Sequence, residues 1–439
     1  MASDLRKTRP VRYAIGMFGT SIPINMFKTY AAIYYVDKLG LSTALFSLVL
    51  LIYTFIDAAD NPVYGYFSDR TRTRWGRRRP WLVIGAPLLA LSLIAFYNPP
   101  AFGATNFLFI YFLLTYILTG TLDSLVNANY GALFPDLFQG DGNRATTNAM
   151  RQAFQLVAMI ISIALTPMVT KQIGYPLTAV IYGTLGAAVI LYSALGCHEN
   201  PAYLKTEKPQ LWDSLKTLFK NKKFWIAGLA NAFYSATMSL VLASIPFYVK
   251  YSLKIQESQS TLLFATVLVI AIAAVAVWAK LIKKYTAVPI WRIALMLLGV
   301  GFIPIYFANS LLTAILASIL LGLGFAGVIA TMDLIGARII DEDSSKSGVR
   351  REAIFTSASG FMNRLNGLFT SLAFFLVFKV YGFESGNVPG PNPGGAAKFL
   401  LAVFPFILII ISCIFSRFLS FPQESEDGQR ANNGMQMGL

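Results

Sequence analysis

Charge is what this sequence has least of. Only 13% of its 439 residues are Asp, Glu, Lys or Arg, about half the share of a water-soluble domain. A fold with a fully hydrated surface is thereby excluded. Cysteines number two and histidines one. Cys197 closes one apolar stretch, Cys413 lies inside another, and His198 follows Cys197. No disulfide framework is implied, and a single Cys-His pair falls short of a metal site. A Walker A loop, HExxH, CxxC and G-x-S-x-G are all missing. Neither ATP-driven transport nor an enzyme constellation is therefore supported. The opening MASDLRKTRPVRYAIGMFGTS lacks a compact apolar core followed by a small-residue cleavage site. It reads as a cytoplasmic leader into a first span, not a removable signal.

What the chain has in excess is apolar residues, 56% of the total, with 34 Phe and 21 Tyr. A spanning helix needs about 20 mostly apolar residues. Spans are predicted near 11–36, 43–67, 81–99, 106–136, 150–172, 176–197, 224–250, 259–284, 288–308, 311–338, 352–382 and 397–420. The fold class is an all-α membrane protein with twelve transmembrane helices. The edges at 106–136 and 311–338 are blurred by Gly, Asn and Asp.

The formal charge of +15 sits in short loops on one side. Arg70, Arg72, Arg74, Arg77, Arg78 and Arg79 follow span two; Lys205, Lys208, Lys216, Lys220, Lys222 and Lys223 follow span six. Lys283 and Lys284 follow span eight, and Lys346, Arg350 and Arg351 follow span ten. The stretches Asn98–Asn106 and Asn309–Ser310 carry no charge. Lys and Arg favour the cytoplasmic side, so both termini are predicted to be cytoplasmic in a plasma (inner) membrane. The arginine run would anchor on the anionic leaflet; nucleic acid is not the partner, because no soluble binding module is present. The longest such loop, 198–223, divides the chain into halves at 1–197 and 224–420, six spans each, with a polar, disordered tail at 421–439. Two parallel repeats with a site between them fit this count.

Ionisable residues inside a bilayer are costly and mark function by default. Asp57 and Asp60 lie three apart on one helix face; they could bind Na⁺ or share a proton, or Asp60 could pair with a cytoplasmic arginine. Lys28 lies mid-span in span one, about 25 Å from its cytoplasmic end, and Asp123 about 20 Å from that of span four. Lys28 is expected to neutralise Asp123 or Asp57 when no solute is bound, unless it forms a purely structural pair. Asn127 and Asn129 offer amides suited to hydroxyls, and Tyr130 and Tyr30 offer rings, against the plainer reading of span packing. Asp333 in span ten could pair with Arg364. The string GLGFAG at 322–327 reads as a close-packing surface.

Four segments carry a family resemblance. DAADNPVYGYFSDRTRTRWGRRRPW at 57–81, NANYGALFPDLF at 127–138, NRATTNAMRQAF at 143–154 and ARIIDEDSSKSGVRREAIFTSASGFMNRLNG at 337–367 resemble the glycoside–pentoside–hexuronide:cation symporters, the melibiose-permease-like branch of the major facilitator superfamily. The resemblance implies that superfamily's fold, two six-helix halves rocking in alternating access. It implies cation coupling at the span-two acids Asp57 and Asp60, although Asn61 stands where the family has an acid before the proline. It places Arg364, flanked by Asn363 and Asn366, where the family has a site lysine, and Arg151 at a gate facing the span-two or span-four acids. Asp69 falls in the superfamily's G-x-x-x-D-R-x-G-R loop and is expected to gate. The family's two sugar-gripping acids are replaced, near Ser21 and at Asn127.

The expected function is secondary transport of a small solute, a sugar or glycoside, coupled to H⁺ or Na⁺ and with no other cofactor, by a monomer. The substrate set is Lys28, Asp123, Asn127, Tyr130, Asn363 and Arg364. A lysolipid or other amphiphile carrier and an uncoupled uniporter remain as alternatives on the same fold.

Overall fold

The computed structural model describes residues 8–73, 75–100, 105–138, 141–199, 220–347, 352–364 and 366–421. The linker at 201–219 and the tail at 422–439 lie outside the described residues, so the expectations about them do too.

The apolar runs fold into twelve helical spans. The first, α1, runs through Pro10–Ala14, Gly16–Ala32 and a π-helical turn, Ile33–Lys38. Then come α2 (Thr43–Arg70), α3 (Arg79–Phe96) and α4 (Thr105–Leu137). The fifth, α5, comprises Asp141–Met159 and π-helical Ile160–Ala164. The next stretch, Thr166–Gly196, is two helices meeting at Gly174, whose φ of 76° and ψ of 166° break the helix. Glycine meets no Cβ penalty there, and Pro176 follows within the next turn. Residues 166–173 therefore complete α5, and 175–196 form α6.

The second set is α7 (Lys222–Phe247 with π-helical Tyr248–Ser252), α8 (Ser260–Tyr285), α9 (Ala287–Phe307) and α10 (Leu311–Ser347). It closes with α11 (Glu352–Arg364 and Asn366–Tyr381) and α12 (Pro393–Lys398, π-helical Phe399–Val403, Phe404–Arg417). Among the described residues, nine helices are long and apolar enough to cross a membrane, and two shorter apolar stretches, Thr43–Ala58 and Met150–Ala164, lie in α2 and α5.

Side-chain caps start several helices: Ser42 accepts from Leu45 N, Asn221 from Phe224 N and Asn392 from Gly395 N. Each satisfies a donor that the first helical turn leaves open. The helix following the arginine loop is held differently. The Glu199 carboxylate accepts from the backbone N–H groups of Arg77, Arg78 and Arg79 at 2.8, 2.9 and 3.0 Å. An anion at a helix N-terminus also complements the helix dipole. The loop is thus moored to the chain end beyond α6, a protein contact that its basic composition did not announce.

Two devices occur in both sets of six. Arg79, at the start of α3, donates from Nε to Ala194 O (2.9 Å) and from Nη2 to Leu195 O (3.2 Å), at the end of α6. Arg292, in the first turns of α9, donates to Ser416 O (3.0 Å) and Arg417 O (3.3 Å), at the end of α12. Cations at helix C-termini satisfy open carbonyls. The chain also leaves α1 and α7 by the same turn. Leu39 N donates to Tyr34 O and Leu41 N to Tyr35 O; later, Leu253 N donates to Tyr248 O and Ile255 N to Val249 O. Repeated hydrogen-bond geometry survives where sequence identity between the sets has faded.

The two sets meet along α2 against the second part of α11 and along the end of α5 against α8. Inside the second set, α10 is wedged between α8 and α9 by the glycine string read as a packing surface. A Cβ at Gly322 would stand 2.8 Å from Val267 O, and one at Gly324 would stand 2.6 Å from Leu298 Cα. The second neighbour is backbone and cannot rotate away. Gly324→Val is expected to destabilise the protein by about 1–3 kcal/mol, the usual cost of overpacking. A lowered unfolding temperature in detergent is the readout; an unchanged one would mean that α9 shifts freely.

Candidate functional site

The bundle has two ends. One, here the terminal face, carries the start of α1, the Arg-rich loop after α2 and the end of α12. The other, the far face, carries the turns after α1 and α7 and the segment between α11 and α12.

Between the two sets of six lies a cavity of about 620 Å³, counting its open mouth. Its walls include Lys28 of α1, Tyr53 and Asp57 of α2, Tyr116 of α4, Ser239 of α7 and Arg364 of α11. The part of it that water could occupy is about 60 Å³, well below the volume of a fully formed small-molecule site. It mixes ring faces with hydroxyl and amide groups, the latter from Thr54, Asn366 and Thr370.

Its chief ion pair joins the two sets. Asp57 Oδ1 accepts from Arg364 Nη1, which also donates to the Asp57 backbone carbonyl. Tyr53 Oη, one turn earlier on α2, donates to the same oxygen at 3.2 Å, and Ser124 Oγ of α4 does so at 3.0 Å. Arg364 and Asp57 side chains are 19% and 15% exposed, so the pair is partly dry and open to the cavity. Such a carboxylate is well satisfied, as a buried charge must be.

Two further acids stand beside it. Asp123 is buried, and Asn127 Nδ2 donates to its Oδ1 at 2.5 Å. Both Lys28 and Arg364 act on Asp123 through their charges. Asp60 is buried at 8% exposure beside Thr121, and among the described residues its Oδ2 accepts no hydrogen bond of ordinary length. Asn231 Nδ2 donates to Asn363 Oδ1 at 2.8 Å, and Asn366 Nδ2 to Ser235 Oγ at 3.4 Å, so both amides tie α11 to α7.

Among the described residues, three glycines have open space around them. Gly131, on the Asp123–Asn127 face of α4, has no atom within 4 Å of where a Cβ would stand. The same holds for Gly360, one turn before Arg364, and for Gly336 on α10. At the far face the two sets are clasped. Asp37 accepts from Lys250 Nζ and Tyr251 Oη. Lys38 Nζ lies 3.1 Å from Glu257 Oε2, and Tyr175 Oη donates to Glu257 Oε1 at 2.7 Å.

A twelve-helix bundle with charged walls between two halves is an architecture shared by many carriers, so sequence comparison decides among them. The family described as MFS/sugar transport protein matches residues 12–423. The chain belongs to that family. It is 28% identical over 371 residues to the isoprimeverose transporter of Lactiplantibacillus pentosus, covering 80% of this chain and 75% of that protein. It is 24% identical to the lactose permease of Lactobacillus delbrueckii subsp. bulgaricus, over 94% of this chain and 70% of that one. Among solved structures, the nucleoside transporter NupG superposes with a TM-score of 0.66 at 13% identity, over 94% of this chain and 99% of that one. That likeness establishes the fold. As a member of this transporter family the chain is an integral membrane protein and not an enzyme.

In this member of the sugar-transport family the sequence-derived site residues divide. Lys28, Asp57 and Arg364 come together on the cavity wall, with Asp123, Asn127 and Asp60 adjoining. Lys28 corrects one expectation: it bonds to neither acid, because Arg364 already occupies Asp57 and Asn127 occupies Asp123. Arg364 corrects another, since it pairs with Asp57 rather than Asp333, whose residue lies exposed on α10.

Tyr130 does not reach the cavity. Its hydroxyl donates to Tyr13 O at 2.9 Å, and its ring stacks on Tyr13 with centroids 4.7 Å apart. Tyr30 is likewise packed, donating to Ile163 O. Among the described residues Arg151 engages no acid; its guanidinium lies over the Tyr13, Tyr130 and Phe134 rings, 5.8, 5.4 and 5.1 Å from their centroids. A ring quadrupole answers its charge there in place of a carboxylate. The Asp69 side chain lies outside the described residues.

Sequence reasoning missed Tyr53 and Ser124. The i,i+4 spacing of Tyr53 and Asp57 was the available signal for the first; nothing in sequence pointed to the second.

Proposed function

We propose that this chain moves a sugar or glycoside across the membrane by alternating access, with H⁺ as its coupling ion. The reading rests above all on the Asp57–Arg364 pair, which links α2 to α11 on the wall of a cavity between the two halves. A cross-half ion pair at a cleft between the halves gives the site two states, made and broken, that solute binding can bias. The rings of Tyr53 and Tyr116 and the polar groups of Ser239, Asn366 and Thr370 suit a polyol. The names of the isoprimeverose and lactose relatives support the same class. By the rule that basic loops stay inside, the terminal face is cytoplasmic and the cavity opens inward.

The choice of H⁺ over Na⁺ follows from the donors. Asp57 Oδ1 receives hydrogens from Tyr53, Ser124 and Arg364, so a guanidinium stands where a metal cation would coordinate. Asp60 is buried beside Thr121, and among the described residues its Oδ2 accepts no hydrogen bond of ordinary length. A proton of its own supplies that oxygen with a hydrogen, whereas Na⁺ needs several oxygen ligands.

Purified protein in vesicles, given labelled sugars and glycosides under imposed H⁺ or Na⁺ gradients, tests the reading, with lysolipids as a separate arm. Uptake should respond to an inward H⁺ gradient and ignore Na⁺. Asp60→Asn should abolish accumulation under the H⁺ gradient while preserving solute exchange at equal pH. Accumulation by Asp60→Asn at the wild-type level would remove this residue from coupling.

A further inference from the structure

We infer that Gly131 of α4 and Gly336 of α10 meet backbone to backbone when the terminal face closes, a contact that is open while the far face is shut. The inference rests on the alternating-access part of the proposed function and names the residues at which the open end seals.

The first observation is an exception. Glycine is a poor helix former, so a glycine inside a helix needs a reason, and most here have one. Gly174 at the α5–α6 break apart, an added Cβ at every other described helical glycine would stand within 3.2 Å of another atom. At Gly131, Gly336 and Gly360 it meets nothing within 4 Å among the described residues. Close packing in this conformation gives no account of these three.

The second observation is repetition. The helices α4 and α10 are each the fourth span of their set. Gly131 opens the string Gly-Ala-Leu-Phe-Pro-Asp and Gly336 the string Gly-Ala-Arg-Ile-Ile-Asp, so the two glycines hold one position in both sets. Gly360 has no such counterpart, because α5 contains no glycine after Gly142. Equivalent positions already meet at the far face. The turns after α1 and α7 match through Tyr34 O and Tyr248 O; Asp37 and Tyr251 each follow by three residues, and they bond to each other. Parallel repeats share one axis along the membrane normal, so equivalent residues that meet across it at one end have counterparts that meet across it at the other.

The third observation is orientation, since both glycines face inward. On α4 the exposed Ile110, Leu114 and Leu118 mark the outer side. Asp123 and Asn127 lie opposite, and Gly131 comes one turn after Asn127. On α10 the exposed Leu312, Leu316 and Leu334 mark the outer side. Phe325 faces α7, its ring centroid 6.5 Å from that of Tyr234, and Gly336 lies about three turns further along the same face. Asp333, exposed three residues before Gly336, would be costly against lipid and marks this side as wet. With no side chain on either helix, the two backbones can approach more closely than the usual separation of about 8–10 Å between axes.

The experiment uses the full-length protein in vesicles, with Cys197 and Cys413 replaced by Ala, and needs no solute. Spin labels at Asn98→Cys and Ser310→Cys follow the far face in the parent and in Asp37→Asn, which loses one charge of the far-face clasp. Gly131→Val and Gly336→Val, added singly, should each cut the far-face-open population by about tenfold or more. Their unfolding temperatures should stay level or rise, because the new side chains enter open space. In a separate preparation without labels, the pair Gly131→Cys with Gly336→Cys should form a disulfide under mild oxidant, and form it faster in the Asp37→Asn background. That bond requires Cα atoms within about 7 Å of each other. An open population that neither valine reduces overturns the inference. So does a cysteine pair that stays reduced in a protein whose far face opens, a result that leaves alternating access standing and puts the seal elsewhere. A far face shut in the parent and in Asp37→Asn alike, with no disulfide formed, overturns the alternating-access reading and this inference with it.

Discussion

Arg364→Ala is expected to lower solute uptake by at least about a hundredfold. Removing one member of a buried ion pair costs about 3–5 kcal/mol, because the other charge is left behind. The pair is partly exposed to the cavity, so the low end of that range applies, which still corresponds to two decades. The loss has a direction. Asp57 keeps Tyr53 and Ser124 as donors but no longer faces a cation from the opposite half, so α2 and α11 lose their link at the cavity. Arg364→Lys should recover part of the rate: it returns the charge but not the rigid, planar guanidinium. Asp57→Asn alone should be about as damaging, since it strands the guanidinium. The double variant Asp57→Asn with Arg364→Gln should be less destabilised than the sum of its parts, by about 1 kcal/mol or more. Thermal unfolding and vesicle uptake on the same preparations give both quantities. Wild-type uptake by Arg364→Ala would remove the pair from the transport cycle.

What made the spans legible was their length: about 20 apolar residues in a row have few other homes. The break between α5 and α6 was also readable, because Gly174 and Pro176 interrupt an otherwise apolar run. Depth was legible as well. Counting along the helices put Lys28 and Asp123 at similar depth, about 25 and 20 Å from the cytoplasmic ends, and Lys28 lines the cavity with Asp123 adjoining. Rotation was not legible. Whether Asp57 faces Lys28 or Arg364 depends on how α1, α2 and α11 are turned about their axes, and those angles are set by packing partners far away in sequence. Tyr130 shows the same limit, since its ring is drawn away from the cavity by Tyr13, more than a hundred residues earlier. The surroundings of Arg151 were not legible either: three aromatic rings lie beside its guanidinium, and no pattern in the sequence pairs it with them.

The far face was read from its uncharged stretches, Asn98–Asn106 and Asn309–Ser310, and the turns after α1 and α7 went unread. Asp37, Lys38, Lys250 and Glu257 are nonetheless there, and they cancel because they pair across the halves. Asp37 anchors this clasp. Its side chain is 1% exposed, and it accepts from both Lys250 and Tyr251. Around it, Thr43 Oγ1 donates to Phe383 O at 2.7 Å and Gly386 N donates to Val36 O at 2.9 Å. Opening this face in the transport cycle means breaking these bonds together. Asp37→Asn keeps the shape and removes the charge, so it should lower the cost of opening by about 2 kcal/mol, the worth of a hydrogen bond to a charged group. That shifts the ratio of far-face-open to far-face-closed molecules by about thirtyfold. Glu257→Gln should do less, because Lys38 is 42% exposed and water competes for it. Spin labels at Asn98→Cys and Ser310→Cys, both in far-face loops, report the change once Cys197 and Cys413 are replaced by Ala. Asp37→Asn should populate longer distances than the parent protein. An unchanged distance distribution would mean that the backbone bonds at Thr43 and Gly386 hold the face shut, and that the acid contributes shape without closing force.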